Sequence, residues 1–169
     1  YKHFIGPLAG QIHAIARDCD RLKVDLIVVD SAQWATGTSS GDGASASVDA
    51  FVNAIRYLQR TVLVIDHVAK ATMEGDQSKP GLPIGYIQKY NAARAAFELK
   101  RDQEPESSVS RIGLYDRKEN HSRQGRPVGI RIEWQDEGKM VRFYKDDISD
   151  SPVLAQTLPI RDRIINLLK

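Results

Sequence analysis

The chain has 169 residues, of which 41% are hydrophobic and 27% charged, and its formal net charge is +2. That length gives room for one domain with a sizeable core, and the apolar content is too high for a disordered tail. The sequence has no run of about 18 apolar residues, which excludes a membrane-spanning helix, and so small a charge names no partner by itself. The single cysteine, Cys19, forms no internal disulfide and points to a reducing compartment, the cytoplasm. The sequence starts at Tyr1 with no signal-like segment, as expected of a processed chain or a piece of something longer.

Residues 7–23 read as an amphipathic helix. Pro7 suits a first helical position, and Leu8, Ile12, Ile15, Cys19 and Leu22 recur at spacings of four and three. Cys19 lies on that stripe and reads as a small buried residue. Residues 26–30 form an unbroken apolar run ending in Asp30, the pattern of a strand buried on both faces in a parallel sheet. A Gly/Ser-rich loop over 36–45 precedes a second helix with Val48, Phe51, Val52, Ile55 and Leu58 on one face. Residues 61–67 form a second apolar strand ending in Asp66 and His67. Helix, strand, helix, strand with short connections points to a doubly wound α/β architecture.

The polar stretch 71–83 reads as a long loop of the kind that carries function. After a short segment over 86–92, the stretches 95–99, 109–115, 127–134 and 139–144 read as successive strands, with a turn at Glu137-Gly138 between the last two. Leu158 to Leu168 reads as a further amphipathic helix, so the expected division is a domain over 1–150 and a linker with the first helix of another domain over 151–169.

Ligands of open α/β sheets bind beyond the carboxyl ends of the strands, which is where Asp30, Asp66 and His67 fall. An apolar strand ending in Asp is the pattern of a Walker B strand, whose carboxylate faces a Mg²⁺ ion bridging nucleotide phosphates. Other sequences end strands in Asp as well. His67 fits either a phosphate sensor or a residue that satisfies backbone groups at a strand end. Residues 111–131 carry Arg111, Arg117, Lys118, Arg123, Arg126 and Arg131 against Asp116 and Glu119, a local +4. Such a cluster fits phosphate contacts, and equally a charged hairpin edge that guards against aggregation. The sequence has no G-x-x-x-x-G-K-S/T loop: at the only Gly-Lys pair, Gly138-Lys139, Glu133 takes the first glycine position and Met140 follows the lysine. The four histidines and one cysteine are too dispersed for a zinc site.

Taken together in this order, residues 24–31, 61–70, 85–94 and 111–120 resemble the later half of a RecA-like P-loop ATPase, most closely the RepA-like class of hexameric replicative helicases and related phage and plasmid ATPases. The resemblance spans residues 7–144. It implies an α/β fold with a RecA-like core sheet and flanking helices, its parallel strands followed by an antiparallel hairpin region. It also implies a Walker A loop and a catalytic Glu upstream of residue 24. By position, Asp30 matches the Mg²⁺-holding Walker B aspartate, with Ser31 beside it at the nucleotide. His67 matches the sensor, and Lys70 the lysine that often follows it. Arg94 matches the arginine that reaches a neighbouring subunit's nucleotide, and Lys118 a finger-like lysine, with Arg123 and Arg126 as alternatives for that contact in trans.

The resemblance places two loops, 35–44 and 68–83, toward single-stranded DNA in a ring's channel. Lys70 and Lys79 suit a phosphate backbone. Neither loop contains an aromatic residue, so no base stacking is expected from them. The implied function is an ATP- and Mg²⁺-dependent DNA-processing motor of the helicase or DNA replication type, working as a homo-hexamer. The alternatives are a helicase loader or recombination ATPase that does not unwind DNA, and a non-catalytic nucleic-acid-binding or oligomerisation module. The 169 residues alone are expected to hydrolyse no ATP.

Overall fold

The computed structural model describes residues 6–37, 44–67, 87–135 and 138–168. The chain divides into two compact units, the first running through Ala93 and the second starting at Arg94.

In the first unit a single 3₁₀ turn, Leu8–Gln11, leads into helix α1, Ile12–Leu22. Lys23 ends α1 in the left-handed conformation (φ 53°), and the Val24 N–H closes the turn on the Cys19 carbonyl at 2.9 Å. Strand β1 is Leu26–Asp30, α2 is a single turn over Ala32–Thr36, α3 is Ala44–Tyr57, β2 is Thr61–Ile65 and α4 is Ile87–Ala92. Strands β1 and β2 pair in parallel, Leu26 opposite Thr61 through Asp30 opposite Ile65. Ile12, Ile15 and Cys19 of α1 pack with Ala54 and Leu58 at α3, against Ile27 and Val62 of the strands. The helical stripes and the burial of Cys19 follow the expected pattern, except that Leu22 is exposed.

Both strands are present, but they are not buried on both faces. Ile27, Val29, Val62 and Val64 turn toward the helices, whereas Leu26 and Val28 are each 54% exposed, and Leu63 and Ile65 are exposed as well. The apolar run makes both faces hydrophobic, yet among the described residues helices cover only one of them. A second correction falls on the loop expected over 35–44: Ala35 and Thr36 belong to α2, and 38–43 lie outside the described residues.

The second unit is a four-stranded antiparallel meander in the order β3-β4-β5-β6: Ala95–Asp102, Val109–Glu119, Val128–Gln135 and Met140–Asp146. The four expected strands are all found, each longer or shifted by a few residues. Gly138 takes φ +86°, as the turn into β6 requires. Residues alternate between two unlike faces. One carries Phe97, Leu99, Ile112, Leu114, Ile130, Ile132, Val141 and Phe143. The other carries Glu98, Lys100, Asp102, Arg111, Tyr115, Arg131, Tyr144 and Asp146.

On the charged face Gly113 and Gly129 sit opposite each other, clearing a flat patch. A Cβ at Gly113 would strike the Tyr115 ring, and one at Gly129 would strike the Asp146 carbonyl oxygen. Over this region Tyr115 packs with Ile148 and Leu154. A 3₁₀ turn, Ile148–Asp150, helix α5, Pro152–Ala155, and helix α6, Ile160–Leu167, complete the chain. Ser151 caps α5 by accepting the Leu154 N–H at 3.1 Å and donates its hydroxyl to Asp102 on β3 at 2.6 Å. Residues 151–155, expected as linker, are thus built into the second unit.

Candidate functional site

The parallel register sets the first cluster. Asp30 ends β1 opposite Ile65, so Asp66 emerges one residue further along the neighbouring strand. Asp30 is exposed, while Ser31 behind it is buried and its carbonyl accepts the Ala35 N–H at 3.2 Å, starting α2. The Asp30–Ser31 peptide bond is cis. Two donors hold the Asp66 carboxylate: the His67 N–H at 3.0 Å and the Lys89 ammonium at 2.8 Å. The Lys89 and Asp66 side chains are only 11% and 16% exposed, so this ion pair is shielded from most of the solvent. It docks α4 onto the end of β2, and Gln88 adds a second tie by donating to the Ser45 hydroxyl of α3 at 3.2 Å.

Nothing in the sequence singles out Lys89, because a lysine in a short polar segment looks like any solvated charge. Only the fold brings it 23 positions back to Asp66. The pairing changes what the strand ends can do. Asp66 is neutralised by an internal cation, which leaves Asp30 as the open carboxylate. Among the described residues no group of three or more His, Cys, Asp or Glu side chains gathers to hold a metal. A single exposed carboxylate fits Mg²⁺ bound largely through water and phosphate oxygens, and does not fit an all-protein cage.

The second cluster lies at one end of the antiparallel sheet. Arg94 precedes β3, and its carbonyl accepts the Asn120 N–H at 3.0 Å. Ala95 pairs with Glu119 and Ala96 with Lys118. Arg94, Lys118 and the loop over 120–127 carrying Arg123 and Arg126 therefore share one end of the sheet. Arg94, Arg123 and Arg126 are exposed, and Lys118 is half-buried. Asp116 secures the loop by accepting the Gly125 N–H at 2.8 Å.

The rest of the basic stretch is committed to the sheet. Arg117 donates to Glu98 at 2.7 Å and lies over the Tyr115 ring, Arg111 pairs with Asp146, and Arg131 pairs with Glu133 and stacks on Tyr144. The local +4 thus divides into an ion-paired face of the sheet and an exposed basic loop. Buried behind it, the Tyr115 hydroxyl donates to the Leu154 carbonyl at 2.8 Å. Burial pushes its pKa above the usual 10.0, with Thr157 and then Arg117 opposing part of that rise.

Asp30, Ser31, Asp66 and His67 come together in the first unit, and Arg94, Lys118, Arg123 and Arg126 in the second. Lys70 and Lys79, with the loop over 68–83, lie outside the described residues. No protein-family model matches the chain, and no curated protein matches it. No helix among the described residues is long and apolar enough to cross a membrane.

Proposed function

We propose that the chain is the nucleotide-responsive, DNA-contacting part of a RecA-like ATPase that processes single-stranded DNA as a ring of identical subunits in the cytoplasm. The observation that carries this reading is the strand-end arrangement. Two parallel strands end side by side in Asp30 and Asp66-His67, at the edge of the sheet where α/β folds take their ligands. Asp30 holds Mg²⁺ on the nucleotide phosphates with Ser31 adjacent, and the ion supplies charge neutralisation for phosphoryl transfer. His67 reads the terminal phosphate and passes its loss to the chain that follows. Arg94, with Lys118, Arg123 or Arg126 from the same end of the sheet, faces a neighbouring subunit's nucleotide, where such a cation is worth roughly 10³ to 10⁵ in rate. Lys70 and Lys79 track the DNA backbone.

The ATPase reading needs a phosphate cradle supplied from elsewhere, because no G-x-x-x-x-G-K-S/T sequence occurs within these 169 residues. That same fact favours the second reading, a DNA-binding module of this fold without turnover. The experiment that separates the two is ATP hydrolysis by the intact protein with and without single-stranded DNA. DNA-stimulated turnover supports the ATPase, and DNA binding with none supports the module.

A further inference from the structure

Trp34 stands at 82% exposure, one helical turn beyond Asp30. It belongs to α2, a turn anchored on both sides. Its first residue, Ala32, is fully buried, and Ser31 before it is buried as well. The Thr36 hydroxyl donates to the Ala32 carbonyl at 2.7 Å and the Gly37 N–H to the Trp34 carbonyl at 3.2 Å. Gly37, at φ +73°, presses so closely on Pro7 that a Cβ there would overlap the proline ring. Both ends of the turn are pinned, and the indole projects from the middle. Its Nε1–H makes no hydrogen bond to a described residue, and its ring takes no part in the core behind α2.

We propose that Trp34 is a stacking platform for a nucleobase at the carboxyl end of the parallel strands. The proposal rests on the strand-end reading above and adds the ligand's chemistry to it. A rigidly held, open indole offers a flat π-face, which a planar heterocycle covers without hydrogen-bond readout and so without sequence preference. The base belongs either to single-stranded DNA or to the nucleotide, and stacking serves both.

The 169-residue chain allows a clean test, because its only other tryptophan is Trp134, in the second unit. In a Trp134→Phe background Trp34 is the sole indole reporter. A 16-residue oligothymidylate and, separately, ATP with Mg²⁺ are titrated, with oligonucleotide binding followed independently by anisotropy of a labelled strand. Quenching by the oligonucleotide assigns the platform to DNA, and quenching by ATP alone assigns it to the nucleotide. Trp34→Ala then weakens binding of the quenching probe by roughly 5- to 150-fold, the loss of one stacked base, and Trp34→Phe restores part of it. For the oligonucleotide the salt slope stays the same, since no cation is removed.

Oligonucleotide binding seen by anisotropy, with neither probe quenching Trp34 and with Trp34→Ala binding as well as the parent, overturns this inference and leaves the DNA-binding reading standing. Absence of binding by both probes overturns that reading and the inference with it.

Discussion

Leu154 gives the sharpest test of the second unit, because the sequence pattern placed it in a linker and the fold places it in the core. Its side chain is 1% exposed against Tyr115 and Ile148, and its carbonyl accepts the Tyr115 hydroxyl. Truncation by Leu154→Ala removes the transfer free energy of the lost methyl groups and leaves a cavity, together about 3 kcal/mol at such a site. For a unit of this size the dependence on urea is roughly 1 kcal/mol per M, so the unfolding midpoint falls by about 3 M. Trp134 lies on β5 and Trp34 in the first unit, so fluorescence in a Trp34→Phe background reports the second unit alone. Ile160→Ala, at a residue 73% exposed, serves as the control and changes stability by less than about 0.5 kcal/mol. A midpoint shift for Leu154→Ala no larger than that of the control would refute the packing of α5 onto the sheet.

Three further outcomes are expected. Lys89→Met leaves the Asp66 carboxylate largely shielded without its partner and costs about 2 kcal/mol; combined with Asp66→Asn it costs less than the sum of the two, as a double-mutant cycle on thermal unfolding will read. Tyr115→Phe costs about 1 kcal/mol at neutral pH and flattens the alkaline limb of stability. Below pH 10 the tyrosine is protonated in both states, whereas above it the unfolded chain loses the proton first, so the parent loses stability until the folded hydroxyl titrates. In the intact protein Arg94→Ala leaves nucleotide binding largely intact and abolishes turnover; equal loss of both, measured by equilibrium binding and steady-state hydrolysis, would make Arg94 structural.

Periodicity carried most of the fold. The 3.6-residue stripes of α1 and α3, the two apolar strands and the four later strands were all legible, because each is a local pattern. Burial of a strand's second face was not legible, since it depends on which elements arrive to cover it; Leu26 and Val28 show the difference. At the site, Asp30, Asp66 and His67 could be placed from strand-end position alone. Lys89 and the division of the basic stretch could not, because ion pairs such as Lys89–Asp66 and Arg117–Glu98 join residues distant in sequence. Nothing in the sequence singles out Trp34, because it falls between a strand and a Gly/Ser-rich loop, where no periodicity marks a side chain as exposed.

The central claim, nucleotide chemistry at the end of β1, is tested most directly by ATP hydrolysis of the intact protein with single-stranded DNA and Mg²⁺, compared with its Asp30→Asn variant. The account predicts DNA-stimulated turnover that falls by at least about 10³-fold in the variant, while circular dichroism of the exposed-site substitution stays unchanged. Turnover retained by Asp30→Asn would contradict it.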